Sequence, residues 1–320
     1  MNLTRRALAE SVTAALGAYV LAAALETIAI RGLQPTEWEL AWVSDLVLSV
    51  ALGVAVYVWR RLLATRHELA QRERDAIVLQ TQLSVAAEIQ RRLLPPLPPA
   101  RNGCEWAAAL RPAGKIGGDF YDFVETAPDT WVILIADVSG KGIPAAMALG
   151  SLRSTFRALA EHGLCPSQIL ANLSSAFLQD WQGRPYVTCI VAAFDLHAHT
   201  IVYSNAGHTP AILVGQSGTR HLVRGGPPAG LLVDAKYDQE VLSVHAGDTC
   251  LFVSDGVTEA LDGVSLETLL RTSSGDGASA ADVCDSVIAK ALAGRGPAGD
   301  PDWDDDRTVV VGMVGDALAN

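Results

Sequence analysis

The chain has 320 residues, 50% of them apolar, enough for one substantial globular core plus a smaller and greasier part. Its formal net charge of -11 opposes nonspecific attraction to nucleic acid, so no nucleic-acid partner is expected. Cys104, Cys165, Cys189, Cys250 and Cys284 are widely spaced, with no Cys-x-x-Cys pair and no His at zinc spacing, which points to reduced core thiols in a cytoplasmic compartment.

The first elements are two apolar runs. Leu8 to Ile30 is almost entirely apolar, with Glu10 and Glu26 as its charges, and Leu40 to Trp59 carries Asp45 as its one charge. Each is long enough to cross a hydrocarbon layer of about 30 Å as a helix. The connector from Arg31 to Glu39 is short, so residues 1–60 are expected to form a transmembrane hairpin. Arg5 and Arg6 lie before the first run and Arg60, Arg61 and Arg66 after the second, against only Arg31 between them, which puts both ends in the cytoplasm and the protein in the inner membrane as a multi-pass chain. Trp38, Trp42, Tyr57 and Trp59 suit the interfacial belts. A cleaved signal peptide lacks a convincing cleavage site here, and a pair of buried soluble helices leaves the flanking arginines and tryptophans unexplained. Glu26 and Asp45 read equally as a sensing or helix-pairing site and as ordinary ends of shorter spans.

From Arg61 the composition turns to Arg, Glu, Gln, Leu and Ala, with no Pro or Gly until Pro95, so residues 61–100 are expected to be a linker built on one long helix. Ala76, Leu79, Leu83, Ala86 and Leu93 approach a heptad a/d stripe that Gln90 breaks, which favours a parallel coiled coil and a homodimer over a helix solvated on its own domain. Pro95-Pro96-Leu97-Pro98-Pro99 ends the helix, because proline lacks the amide donor and restricts its predecessor.

A globular domain over 101–316 follows. Strands are expected at Trp106–Leu110, Phe120–Val124 and Val132–Ala136, then helices at Ala145–His162, introduced by Pro144, and Pro166–Trp181. Further strands are expected at Tyr186–Phe194, Thr200–Ser204, Ala211–Val214, Tyr237–Val244 and Cys250–Ser254, the first two joined closely enough for an antiparallel hairpin. Val264–Leu270 and Ala280–Leu292 read as helices, and Arg307–Met313 as a closing strand. Helices in two blocks between runs of strands make this a layered α+β domain.

Chemistry is expected where apolar strands stop at acids. Val132 to Ala136 runs into Asp137-Val138-Ser139-Gly140-Lys141-Gly142, and an acid there cannot be buried without compensation. Gly117-Gly118-Asp119, Ser254-Asp255-Gly256 and Asp304-Asp305-Asp306 repeat the arrangement. One Asp beside a Gly is a turn former, but four in one domain can converge on a rim, and oxygen donors without His or Cys suit Mg²⁺ or Mn²⁺. Two such ions sharing an acid lower the pKa of bound water and hold a phosphoryl group in line, which fits phosphate-ester hydrolysis. Gly140-x-Gly142-x-x-Ala145 is not a dinucleotide fingerprint, since a second helix follows it and Asp137 would repel a pyrophosphate. It is not a P-loop either, because Gly142 stands where Ser or Thr is needed. Gly117-Gly118-Asp119-Phe120 lacks the further acid that the cyclic-di-GMP synthase signature carries before its Phe.

Ala87-Glu88-Ile89-Gln90 with Leu93-Leu94-Pro95, Gly117-Gly118-Asp119-Phe120-Tyr121-Asp122, Ala136 to Gly142, Asn205-Ala206-Gly207-His208, Ser254 to Ala260 and Asp305-Asp306-Arg307-Thr308 resemble, in order and spacing, the SpoIIE-type bacterial serine phosphatases of the metal-dependent protein phosphatase superfamily. The resemblance spans Ala86 to Val314 and does not cover the hairpin. It implies an α-β-β-α sandwich with two Mn²⁺ or Mg²⁺ ions that hydrolyses phosphoserine or phosphothreonine on a regulatory protein, by analogy an anti-sigma-factor antagonist. By the same resemblance Asp137 bridges both ions with the Val138 carbonyl on one, Asp255 and Asp305 hold the second, and Asp119 contacts the first directly or through water. A metal-bridging water or hydroxide would attack, without a phosphoenzyme. Asp306 is the fallback for Asp305. The helix before the domain and those after the Gly140-Lys141-Gly142 turn would reposition ligands, through Ala86–Leu94 and Ala145–Leu159. Asn205 and His208 are expected to shape a turn near the site and Glu259 to begin or cap a helix, while Lys115 and Lys141 are read as solvated. The Gly- and Ala-rich segment between Ala260 and Pro301 lacks the family's aromatic-glycine element, which bears on substrate docking there. The non-enzyme alternative is a membrane-anchored dimeric scaffold that binds the same partner without turnover.

Overall fold

The computed structural model describes residues 17, 20, 21, 25, 29, 37–101, 103–140, 142–261, 264–273, 277–294 and 304–315. Most of the first apolar run and Lys141 lie outside the described residues. Two compact units divide the chain, Met1–Gln80 and Thr81–Asn320.

Helix α1 runs unbroken over Glu37–Leu93, 57 residues, so the second apolar run and the charged linker form one element. Nothing in Leu40–Leu93 interrupts an α-helix, since the stretch holds no proline and a single glycine, Gly53.

The globular unit begins with β1 (Cys104–Arg111), β2 (Asp119–Ala127) and β3 (Thr130–Val138), followed by α2 (Ile143–Glu161) and α3 (Pro166–Trp181). Then come β4 (Val187–Asp195), β5 (Thr200–Ala206), β6 (Ala211–Gly215), β7 (Gly218–Leu222), β8 (Gly225–Gly226), β9 (Glu240–Ser243) and β10 (Thr249–Val253). Helices α4 (Asp255–Ala260), α5 (Leu266–Ser273) and α6 (Ala280–Ala293) and strand β11 (Arg307–Val314) complete it. One sheet has the order β1-β11-β10-β6-β7, the other β2-β3-β4-β5-β8 with β9 also on β5.

Side-chain parity explains the layering. On β3, Ile133 and Ile135 enter the core between the sheets, while Val132, Leu134, Ala136 and Val138 face a second core with α2 and α3. On β10, Cys250 and Phe252 join the inter-sheet core, and Leu251 and Val253 join a third core with α4, α5 and α6. Strands covered on both faces must be apolar at every position, which is why these read as continuous runs instead of alternating ones. The order is helix, sheet, sheet, helix.

Three differences from the sequence expectation have local causes. Strand β9 is shorter than Tyr237–Val244, because the Asp238 N–H donates to the Gly225 carbonyl at 3.2 Å, outside the β5 ladder. Strand β7 went unpredicted because Gly218-Thr219-Arg220-His221-Leu222 is an edge strand exposed along most of its length and shows no apolar period. Helix α4 starts at Asp255 itself, so that acid is both a strand-end residue and the first residue of a helix.

Candidate functional site

The register of the second sheet places Asp119 of β2 opposite Asp137 of β3, and Asp137 opposite Thr188 of β4. Side chains opposite one another share a face, and like charges so placed repel. Asp119 is only 1% exposed. Its Oδ2 accepts the Thr308 hydroxyl at 2.6 Å. Burial, and then the Asp137 charge, hold the Asp119 carboxyl well above the usual range, against the pull of the Thr308 and Ser254 hydroxyls. Among the described residues no Lys, Arg or His lies within ion-pair distance of Asp119.

The approach to Asp119 is held from two sides. The Gln90 side chain, buried at the end of α1, donates to the Gly117 carbonyl at 3.0 Å and the Asp119 carbonyl at 3.4 Å, and accepts from the Gly117 N–H at 3.3 Å. The Asp306 carboxylate accepts the Ala113 N–H at 2.8 Å on one oxygen and the Gly118 N–H at 2.5 Å on the other. Glycine is required at 118, since a Cβ there would stand 2.5 Å from the Val138 carbonyl oxygen and 2.7 Å from Asp137 Oδ1. Those two oxygens therefore converge over the bare Gly118 backbone, and the Val138 N–H closes the turn on the Gly118 carbonyl at 3.0 Å.

Across the cleft the β10 and β11 ends supply the other acids. The Ser254 hydroxyl donates to the Asp306 carbonyl at 3.2 Å and accepts the Thr308 N–H at 2.9 Å, locking the two strand ends together. Asp255 faces solvent at the rim, yet desolvation by the cleft walls and then the neighbouring Asp305 charge raise its carboxyl above the usual range. The three consecutive acids thus have separate surroundings. Asp304 accepts from Arg307 Nη1 at 3.1 Å, half-buried Asp305 is the electrostatic neighbour of Asp255, and Asp306 spends both oxygens on backbone amides.

A cleft of about 330 Å³ lies between these edges, lined by Asp137, Ser139, Gly140, Tyr186, Thr188, Gly207, His208, Thr209 and Asp255. Gly140 has φ 98°, a conformation that favours glycine, and it leads into α2. The His208 N–H donates to Asn205 Oδ1 at 2.8 Å, and Asn205 Nδ2 donates back to the His208 carbonyl at 3.1 Å. His208 Nδ1 meets the Thr188 hydroxyl at 3.1 Å. Burial pushes its ring down to about 4, so it is neutral near pH 7. Lys115, read as solvated, donates to the Ser84 hydroxyl at 3.0 Å.

The structure therefore brings Asp119 beside Asp137 and the Val138 carbonyl, and Asp255 beside Asp305, with Asp137 and Asp255 on one cleft. Among the described residues no three His, Cys, Asp or Glu side chains are gathered as a closed metal cage. The donor chemistry nevertheless fits hard divalent cations, because it consists of oxygens arranged in mutually repelling pairs. Sequence reasoning missed Thr188, Ser254 and Thr308 as site supports, and the buried hydrogen bonding of Gln90. A Gln interrupting an apolar heptad position was the one available signal.

Comparison with known proteins agrees with this geometry. The family model for Stage II sporulation protein E (SpoIIE) matches residues 127–314, more than half of the chain. Phosphoserine phosphatase RsbU of Bacillus subtilis (strain 168) is 32% identical over 183 residues, 57% of this chain and 54% of that one. Phosphoserine phosphatase RsbP of the same organism is 30% identical over 195 residues, 59% of this chain and 48% of that one. The chain spans about half the length of these curated relatives. The solved PP2C phosphatase domain of SpoIIE from Bacillus subtilis, with a fragment of its regulatory domain, superposes with a TM-score of 0.57 at 20% identity, covering 66% of this chain and 63% of that one. The globular unit thus has the PP2C phosphatase fold, and the chain belongs to the SpoIIE family.

Proposed function

We propose that this chain is a metal-dependent protein phosphatase that hydrolyses phosphoserine or phosphothreonine on a regulatory protein. The observation that carries the reading is the pair Asp119 and Asp137, directly opposed on neighbouring strands, one almost fully buried and with no basic side chain in ion-pair range among the described residues. A pair of like-charged carboxylates placed this way is a natural seat for an external cation, which would relieve their mutual repulsion. On this reading Asp119, Asp137 and the Val138 carbonyl would hold one Mn²⁺ or Mg²⁺ ion, and Asp255 and Asp305 together with Asp137 would hold a second. Asp306 is reserved for the loop, since both its oxygens are committed to backbone amides. Bound divalent ions would acidify water and neutralise phosphoryl charge. The chain's own groups do the rest: the glycine turn leaves room for a phosphoryl group, and His208 and Thr188 form the opposite wall of the cleft. RsbU and RsbP are named phosphoserine phosphatases, and the inferred substrate here is a phosphorylated anti-sigma-factor antagonist.

The same proposal anchors the protein in the inner membrane through the hairpin of residues 1–60, followed by a dimerising linker at 61–100 and the phosphatase domain at 101–316. Helix α1 supports this, since among the described residues it is the one helix long and apolar enough to cross a membrane. Gly17 of the first run also lies beside Val50, whose Cγ2 would be 3.8 Å from an added Cβ. The test uses the full chain in detergent. Mn²⁺-dependent phosphate release from a phosphoserine protein is expected, and Asp137→Ala and Asp255→Ala each abolish it. The open carboxylate arrangement favours one second reading, a non-catalytic dimeric scaffold for the same partner. No turnover of any phosphoprotein with metal supplied would establish that reading instead.

A further inference from the structure

The loop between β8 and β9 carries three consecutive exposed apolar residues, Leu231, Leu232 and Val233, at 40%, 52% and 75% exposure. Exposed apolar runs of this kind are unfavourable in water and mark contact surfaces. The loop is firmly held. Ala229 and Val187 exchange both backbone hydrogen bonds, at 2.9 and 2.7 Å, and the Gly230 N–H donates to the Ser174 hydroxyl at 3.0 Å. The Pro228 ring presses on Gly207, where an added Cβ would meet its Cγ at 2.9 Å. Both anchors adjoin the cleft: Tyr186 and Thr188, the chain neighbours of Val187, line it, and so does Gly207.

We propose that Leu231, Leu232 and Val233 form a docking ridge for the phosphoserine protein itself, receiving an apolar patch next to its phosphorylated residue. The inference rests on the phosphatase reading and extends it to substrate choice. Its argument is continuity with the cleft. A standard interface buries about 800 Å² per partner, a disc of about 16 Å radius. Val233 lies four residues beyond Ala229, which pairs with Val187 beside the cleft-lining Tyr186 and Thr188, so the chain keeps it within about 14 Å of that pairing. A folded substrate with its phosphoserine in the cleft has a footprint of the size needed to reach the ridge. Met147, 65% exposed on the first turns of α2, adds apolar surface just beyond the Gly140–Gly142 turn.

The experiment compares wild type with the double variant Leu232→Ser/Val233→Ser, full chain, with Mn²⁺, on a folded single-domain protein carrying one surface phosphoserine beside an apolar patch and on p-nitrophenyl phosphate. The KM for the folded phosphoserine protein is expected to rise about tenfold, the loss of roughly 1.4 kcal/mol of apolar contact, with kcat kept and p-nitrophenyl phosphate turnover unchanged. The conservative Leu232→Met/Val233→Ile variant is expected to restore the wild-type KM. An unchanged KM, or equal losses on both substrates, overturns the docking role. A difference seen in lipid nanodiscs but not in detergent overturns it in favour of lipid contact, and a lower oligomeric mass for the serine variant overturns it in favour of self-association. Wild type that releases no phosphate from p-nitrophenyl phosphate removes the phosphatase reading first, and this inference with it.

Discussion

Asp119 and Asp122 lie three residues apart on β2, so their side chains leave opposite faces of one strand and meet opposite fates. Asp122, with no solvent exposure, enters the helix layer and is met by Arg157 of α2 through Nε and Nη2, both at 2.8 Å, with Arg153 at 3.7 Å. Asp119 enters the inter-sheet edge, where it finds a threonine hydroxyl and a second carboxylate. Burial is the first cause that raises both carboxyls, but arginines oppose it at Asp122, whereas at Asp119 the Asp137 charge adds to it. A buried acid whose countercharge comes from the same fold is scaffolding, and one whose countercharge is missing is a place for something from outside.

Removing the countercharge should have the largest effect. Arg157→Leu strands the Asp122 carboxylate, and with Arg153 still at 3.7 Å the cost is expected near the low end for a broken buried pair, about 3 kcal/mol of unfolding free energy in denaturant titrations. Phosphate release per folded molecule should survive. If it falls in proportion to the Asp137→Ala variant, the division between scaffold and site is wrong. Asp119→Asn should do the reverse. In metal-free protein it removes a repelled charge while keeping an acceptor for Thr308, and stability at neutral pH should rise by about 1 to 2 kcal/mol while Mn²⁺-dependent turnover is lost. A destabilised Asp119→Asn would mean that the carboxylate is already compensated within the chain.

The pH dependence of that difference has a determined sign. Burial, and then the Asp137 charge, hold the Asp119 carboxyl in the metal-free fold well above the usual aspartate value of 3.8. Between that value and the raised one the folded state binds more protons than the unfolded, so stability is fully present below the unfolded value and declines as pH rises through the window. The thermal midpoint of wild type should therefore match Asp119→Asn in acid and fall behind it as the pH is raised. Mn²⁺ should close the gap at neutral pH. A gap that widens in acid would refute the assignment.

Part of this was legible from residue order. Apolar strands ending in acids marked Asp119, Asp137 and Asp255, because a two-sided apolar strand and a glycine turn are both local patterns. Pro166–Trp181 was legible as well, since its proline starts a helix that ends at Gln182 with φ 51°. The partnership of Asp122 with Arg157 spans 35 residues and joins a strand to a helix face on which an arginine reads as solvated. The choice between Asp305 and Asp306 turns on the amides of Ala113 and Gly118, 193 and 188 residues away in sequence. Such contacts are products of topology, which spacing along the chain does not encode.

Gln90 gives the smallest and most specific test of the same contrast, because it reaches Asp119 without bearing charge. It sits on the last turn of α1 and satisfies both backbone groups of Gly117. Gln90→Ala leaves those groups unpartnered in a buried place, at about 1 kcal/mol per lost hydrogen bond, so a five- to tenfold fall in turnover is expected if the loop they hold positions Asp119. The fall should appear as weaker activation in a Mn²⁺ titration, with the saturated rate largely recovered, because the ion can pull the loop back into place at a cost in affinity. Gln90→Glu retains one acceptor for the Gly117 N–H but turns the other end of the side chain toward the Gly117 carbonyl as a repelling oxygen, and it should be worse than alanine. Equal Mn²⁺ dependence in all three proteins would mean that the end of α1 braces the domain without reaching the acid.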